Sequence, residues 1–320
     1  MKRMLKTVTG LLIFALIAAV VFFYSIFVSV ERLTVDYNTI ASSKIPLAME
    51  DVKIAFISDL QYNRFMDKER LSAMVKTINE VKPDIVIFGG DIFDLPLTYV
   101  PNDATKQEVS QLLKQIEAPL GKFAVLGEQD NVDEGVRSMV VDALMDSDFE
   151  LLNNTAKRLR NGTDDSITLI GVDSLINGTP DLNLAFANAP EEQFRILVTH
   201  CPDLVQAEGF ASNRVDLMLA GHSHAAQIYI PLIGSLSSDE GATLYNHGKH
   251  RIDHMILHIT NGMGTTTMDM RLFSPPQMIV YRLKHEQGTS SSSSPDEPIN
   301  EQEQQENTNS NFEQEADSQT

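Results

Sequence analysis

The sequence predicts an α/β domain carried behind an N-terminal membrane anchor. Three observations support this. An uncharged apolar run lies near the start, short apolar runs alternate with helix-patterned segments, and metal-ligand residue types stand where those runs end.

Residues 10–30 read GLLIFALIAAVVFFYSIFVSV and hold no charge. At the helical rise they span roughly 30 Å, enough for the hydrocarbon core of a bilayer. Lys2, Arg3 and Lys6 precede the run and Glu31 follows it. Positive flanks stay in the cytoplasm, so residues 1–9 are expected inside and the C-terminal body outside the cell membrane. A cleaved signal peptide would carry an apolar region of about 7–15 residues and a small-x-small site. This run is longer and ends in bulky residues, so an uncleaved single-pass anchor is expected. A buried core helix fits less well, because every face is apolar.

Residues 31–50 are polar and are expected to form a linker. The folded body is expected over 51–285. Lys53–Ser58 (KIAFIS) is a short apolar run ending in Asp59, and Asp84–Phe88 (DIVIF) is a second, followed by Gly89, Gly90 and Asp91. Between them, Leu71, Met74, Val75 and Ile78 fall on one face of a helix over Asp67–Lys82. Ala104–Ile116 reads as a helix, Lys122–Leu126 (KFAVL) as a strand, and Asp133–Met145 as a helix with an acidic first turn that suits its dipole. Strand-like runs follow at Ile167–Val172, Phe194–Thr199 and Asp216–Ala220, then at Gln227–Pro231, Met255–Thr260 and Met278–Leu283 without long helices between them. From Glu286 to Thr320 the chain is rich in Ser, Gln, Asn and Glu, with nine acids and no Lys or Arg. That composition buries too little apolar surface to fold, so a disordered acidic tail is expected.

The formal net charge is −19. No basic footprint is offered to a nucleic-acid backbone, so no such partner is expected. The single cysteine, Cys201, excludes an intramolecular disulfide and a Cys-rich zinc site.

The chemistry sits at the ends of the apolar runs. Asp59 follows KIAFIS, Asp91 follows DIVIFGG, Glu128 follows KFAVLG, His200 follows FRILVT, and His222 and His224 follow DLMLAG. Ligands collect at the carboxyl ends of strands in sheets with crossover helices. A lone Asp in such a place is ordinarily a turn or cap residue, and a lone His is ordinarily structural. Five strand ends in order, each delivering a carboxylate or an imidazole, point to one shared site. Asp, Glu and His together suit Mn, Fe or Zn better than Ca or Mg.

The ordered series Ser58-Asp59-Leu60, Gly90-Asp91, Gly127-Glu128-Gln129-Asp130, His200-Cys201-Pro202-Asp203 and Gly221-His222-Ser223-His224 resembles the calcineurin-like metallophosphoesterase superfamily, in its bacterial membrane-anchored branch. Asn261-Gly262-Met263-Gly264, Arg271 and Ser274-Pro275-Pro276 extend the likeness, which covers residues from about 50 to 284. The resemblance implies a four-layer α-β-β-α sandwich with two mixed sheets. It also implies two divalent metal ions. Asp59, Gln61, Asp91 and His224 would hold the first, Asp91, Glu128, His200 and His222 the second, with Asp91 bridging. Two ions about 3.5–4 Å apart neutralise a phosphate and acidify a bridging water, whose hydroxide attacks phosphorus in line. Asp91, Gln129 and Asp130 would stand in the catalytic positions.

Three positions depart from the family pattern. Gln61 and Gln129 stand where the family has histidines, and Glu128 where it has asparagine. A neutral amide oxygen is the weaker ligand for Mn, Fe or Zn, so occupancy of the first site is in question. Glu128 is a competent ligand that adds a negative charge. Gln129 offers no titratable proton, so help to the leaving group, typically about 10²–10⁴-fold, is impaired. Two functions remain open. One is hydrolysis of a phosphomonoester or phosphodiester at the outer membrane face, where the anchor would bring a lipid-linked substrate within reach. The other is a degenerate protein that binds a phosphorylated ligand or a protein partner without turnover.

His247, His250, His254 and His258 form a second His-rich stretch, read as surface or loop residues because a strand there would split their faces. Asn63 and Arg64 are expected at the pocket rim, and Arg271 is read as a structural contact.

Overall fold

A computed structural model describes residues 1–235 and 239–287. The acidic tail expected to be disordered lies, from 288 onward, outside the described residues. Helix α1, Lys2–Phe27, is apolar and exposed along nearly its whole length. Its 26 residues extend about 39 Å, long enough to cross a bilayer.

Two six-stranded mixed sheets form the body. The first runs in the order β1 (Thr34–Ser42), β14 (Gln277–His285), β2 (Lys53–Ile57), β3 (Ile85–Phe88), β4 (Gly121–Ala124) and β5 (Phe149–Leu151). The second runs β12 (Gly248–Ile252), β13 (Met255–Ile259), β9 (Leu217–Ala220), β8 (Arg195–Val198), β7 (Ser166–Gly171) and β6 (Thr155–Arg160). A short hairpin, β10 (Tyr229–Ile230) and β11 (Gly234–Ser235), stands apart from both.

The period-2 alternation of each strand explains the layering. Ile54 and Phe56, with Ile85 and Ile87, point into the layer between the sheets, where they meet Ile196, Val198, Leu217 and Leu219. Ala55, Ile57, Val86 and Phe88 point the other way, onto the apolar stripes of α2 (Lys68–Val81), α3 (Asp103–Lys114) and α4 (Glu134–Asp146). Both faces of the central strands are thus buried, which is why they read as unbroken apolar runs. Asp67, Asn102 and Asp133 cap these helices by accepting the N–H of Arg70 (2.9 Å), Thr105 (2.9 Å) and Val136 (2.7 Å). The sequence-based starts of all three helices hold to within a residue or so.

One expectation needs correction. The polar segment 31–50 is more than a linker, because it supplies β1, paired parallel with β14 over nine residues. The sandwich stands as expected, with a thin fourth layer. The outer face of the second sheet, with Leu197, Met218 and Leu257, is covered by the five-residue helix α5 (Leu182–Phe186), 3-10 turns and loops. A small apolar cavity of about 460 Å³ separates α1 from the body, lined by Val20 and Tyr24 on one side and Leu272 and Phe273 on the other. Arg271 N–H donates to Ser25 O there, at 2.9 Å.

Candidate metal centre

Strands β2, β3 and β4 are mutually parallel, and so are β8, β9 and β13. The carboxyl ends of both groups meet, and six of the seven expected ligands, with Asp91 in the middle, are buried there (Asp59, Gln61, Asp91, His200, His222 and His224). Glu128 is nearly so, its side chain 16 % exposed.

The chain reaches this point through sharp turns. Asp59, Gln61, Asp91, His222 and His224 all have positive φ, between 49° and 71°. Non-glycine residues rarely adopt this region, and such strain gathers at functional sites. Glycines make the close approach possible. A Cβ on Gly127 would lie 2.0 Å from Asp91 Oδ1, and one on Gly221 would lie 2.2 Å from Ser58 Oγ and 2.5 Å from Asp59 Oδ2.

Backbone hydrogen bonds orient each functional group. His200 Nδ1 lies 2.7 Å from Gly89 O, so Nδ1 donates there and Nε2 is the nitrogen turned to the carboxylates. That Nε2 is buried, with no hydrogen-bond partner among the described residues, and lies 2.6 Å from Glu128 Oε2, 3.5 Å from Asp91 Oδ2 and 3.8 Å from Asp59 Oδ1. His222 Nε2 donates to Glu240 O at 2.5 Å, which leaves Nδ1 facing Glu128 Oε2 at 2.9 Å. His224 Nε2 stands 3.6 Å from Asp59 Oδ1. Asp59 takes the His222 backbone N–H on its two oxygens, at 3.0 and 3.1 Å. Asp91 Oδ1 accepts the backbone N–H of Gln129 at 2.9 Å, and Oδ2 accepts the Gln61 side-chain amide at 3.0 Å.

Three carboxylates and three imidazoles packed this closely perturb one another. Burial, then the charge of Glu128, pushes Asp91 up to about 7. Burial resists charge on His200, but the Asp91 and Glu128 carboxylates outweigh it and hold His200 well above the ordinary imidazole value. Glu128 is held well below the ordinary carboxylate value, since His200 and His222 outweigh its own burial. His224 is pushed down, chiefly by burial. Protons here do the neutralising that a cation does in a metal site, and metal binding displaces such protons.

The donor set fits a divalent ion. Ligand atoms of Glu128, His200 and His222 lie within 4.8 Å of one another, as do those of Asp59, Asp91 and His200. Asp, Glu and His suit the harder transition ions, and His200 carries the backbone support that orients a ligating imidazole.

Asp130, expected among the catalytic residues, has a different task. Its carboxylate is buried and accepts three backbone N–H groups, from Asp91 (2.7 Å), Ile92 (3.0 Å) and Gly127 (2.9 Å). It holds the β3 and β4 turns together. Gln129 does face the cavity of about 290 Å³ beside the cluster, with Gln61, His222 and Glu240. Arg271 is structural, as expected: it is fully buried and its guanidinium donates to the carbonyls of Ser274, Gly262 and Gly264. Arg64 donates to Thr267 O at 3.3 Å.

The His-rich stretch is a partial correction. His254 is exposed, but His258 is buried on β13, 3.0 Å from the Tyr281 hydroxyl and 3.3 Å from Asp36 Oδ2. Sequence reasoning missed the loop that carries Glu240. Asp203 holds that loop by accepting Thr243 N–H at 2.7 Å and Leu244 N–H at 3.1 Å. A backbone carbonyl leaves no mark in a sequence, so only Asp203, in the quoted His-Cys-Pro-Asp string, hinted at it.

The fold and this cluster define the class, and comparison with known proteins agrees. The chain belongs to the calcineurin-like phosphoesterase family, whose model matches residues 52–226. It is 30% identical over 82% of its length to a Bacillus subtilis (strain 168) protein described as uncharacterized metallophosphoesterase YkuE, covering 89% of that relative. It is 27% identical over 72% of its length to Phosphodiesterase YaeI of Escherichia coli (strain K12), covering 82% of that protein. A Danio rerio transmembrane protein with metallophosphoesterase domain is 24% identical over 87% of this chain, which covers 63% of the relative.

Proposed function

We propose that the chain is a metal-dependent phosphoesterase whose site faces outward at the cell membrane. One observation carries this reading. Among the described residues, the buried His200 Nε2 has no hydrogen-bond partner, yet it stands among the Glu128, Asp91 and Asp59 carboxylates. Asp91, Glu128, His200 and His222 would hold an ion of the Mn, Fe or Zn type, with Asp59, Gln61 and His224 on its far side. Such an ion supplies Lewis acidity to a phosphoryl oxygen and lowers the pKa of water.

The chain's own residues do the rest. Asp130 fixes the turns that carry Asp91 and Glu128, and the Gly89 and Glu240 carbonyls fix the two imidazoles. Glu128, Asp239 and Glu240 surround the cavity with negative charge, so a phosphate gains entry only against a bound cation. Gln129 can hydrogen-bond a leaving oxygen but cannot give it a proton, which favours substrates whose leaving group departs as an anion.

Diesters are the favoured class, supported by the phosphodiesterase name of the Escherichia coli relative. Location supports a lipid-linked substrate. Ser274 Oγ donates to His224 O at 3.0 Å, and the neighbouring Phe273 lines the cavity against α1, so the site lies a few residues from the anchor. Lys2, Arg3 and Lys6 support an inward N-terminus. The test uses the full chain in lipid nanodiscs with Mn(II) and a panel of phosphomonoesters, phosphodiesters and phospholipids. Turnover well above that of His222→Ala is expected. Ligand binding without turnover, equal to that variant across the panel, overturns hydrolysis in favour of a binding protein.

A further inference from the structure

The two halves of the cluster are unequal, and Gln61 makes them so. The NH2 end of the Gln61 amide sits 3.0 Å from Asp91 Oδ2, the arrangement an ionised carboxylate requires, since it accepts hydrogen bonds and donates none. The amide oxygen Oε1 is then buried with no hydrogen-bond partner among the described residues. Turning the amide over would bring two oxygens together at Asp91 unless a cation came between them. It would also leave the NH2 group where Oε1 now finds nothing. On the same side, Asp59 already takes the His222 backbone N–H on its two oxygens, and His224 Nε2 is 3.6 Å away. On the other side, Glu128 meets both His200 and His222.

We infer that this chain binds one divalent ion tightly, among Asp91, Glu128, His200 and His222. The Gln61 carboxamide takes the place of a second ion beside Asp91. The charges agree: Asp91 and Glu128 match one dication, whereas a second would meet only Asp59 and neutral donors. Glu128 thus strengthens the half that remains, and Gln61 closes the half that is lost. This rests on the metal-centre reading above, but its test needs no turnover.

The full chain in detergent is stripped with chelator, equilibrated with Mn(II) and passed through a desalting column. Metal content is then read by mass spectrometry and the bound ion by electron paramagnetic resonance. The wild type is expected to retain one Mn per chain with the six-line spectrum of an isolated ion. Gln61→His, and independently Gln61→Glu, are expected to retain two, with an exchange-coupled spectrum. Two coupled ions in the wild type overturn the inference and leave the phosphoesterase reading standing. Both variants remaining at one ion overturn the role given to Gln61. A wild type that retains none overturns the metal centre itself.

Discussion

Gln129 presents its backbone N–H to Asp91 Oδ1 at 2.9 Å and its side chain to the cavity, so it reaches the place where a leaving group would sit. What it lacks is a proton to give. General-acid help is worth about 10²–10⁴-fold, and its absence matters only when the leaving oxygen is basic. Gln129→His is therefore expected to raise kcat on alkyl phosphoesters by about 10²-fold or more. It should change kcat on nitrophenyl esters much less. Steady-state kinetics on the two substrates checks this, and an equal rise on both would contradict the role given to Gln129. The residues of this site were legible in the sequence because each follows an apolar run. The function of Asp130 was not legible. Its position in the motif matches the family, but only the structure shows its oxygens engaged by three backbone N–H groups.

At the level of elements, what could be read depended on burial. The strands β2, β3, β8 and β9 are buried on both faces and stood out as apolar runs. Strand β1 did not, because it is an edge strand with Ile40 as its one fully buried residue. Its parallel pairing with β14, some 240 residues away, leaves no local pattern. The same pairing explains His258. On β13 it points between the sheets, where it meets Tyr281 of β14 and Asp36 of β1. Burial outweighs the Asp36 carboxylate and pushes His258 down to about 4. An unfolded histidine titrates near 6.5. The neutral His258 thus contributes its stability in full above about pH 6.5. That contribution is lost as pH falls toward about 4, because the unfolded chain takes up a proton that the folded chain refuses. The thermal midpoint is expected to fall from pH 7 to pH 4.5, and His258→Asn should flatten part of that fall. An unchanged pH profile in the variant would assign the dependence elsewhere.

Over the whole molecule, an acidic body and the apolar helix α1 meet next to one cluster. The net charge of −19 repels phosphates in solution, so the proposed phosphoester binding would depend on a cation held where the two sheets converge. Helix α1 is tied to that cluster, since Arg271 touches both the α1 end at Ser25 and the Gly262–Gly264 turn beside Asp59. The overall architecture was legible from the ordered motifs, while the thin fourth layer was not, because five-residue α5 and its 3-10 neighbours carry no helical period. The most direct test of a cation-dependent hydrolytic site is a titration. The full chain, stripped with chelator, is given Mn(II) in steps while hydrolysis of bis(4-nitrophenyl) phosphate is followed. Turnover is expected to be absent in the stripped chain, to rise with bound ion and saturate, and to be lost in His200→Ala. Turnover that survives stripping and His200→Ala alike, or that never appears in the loaded wild type, would contradict it.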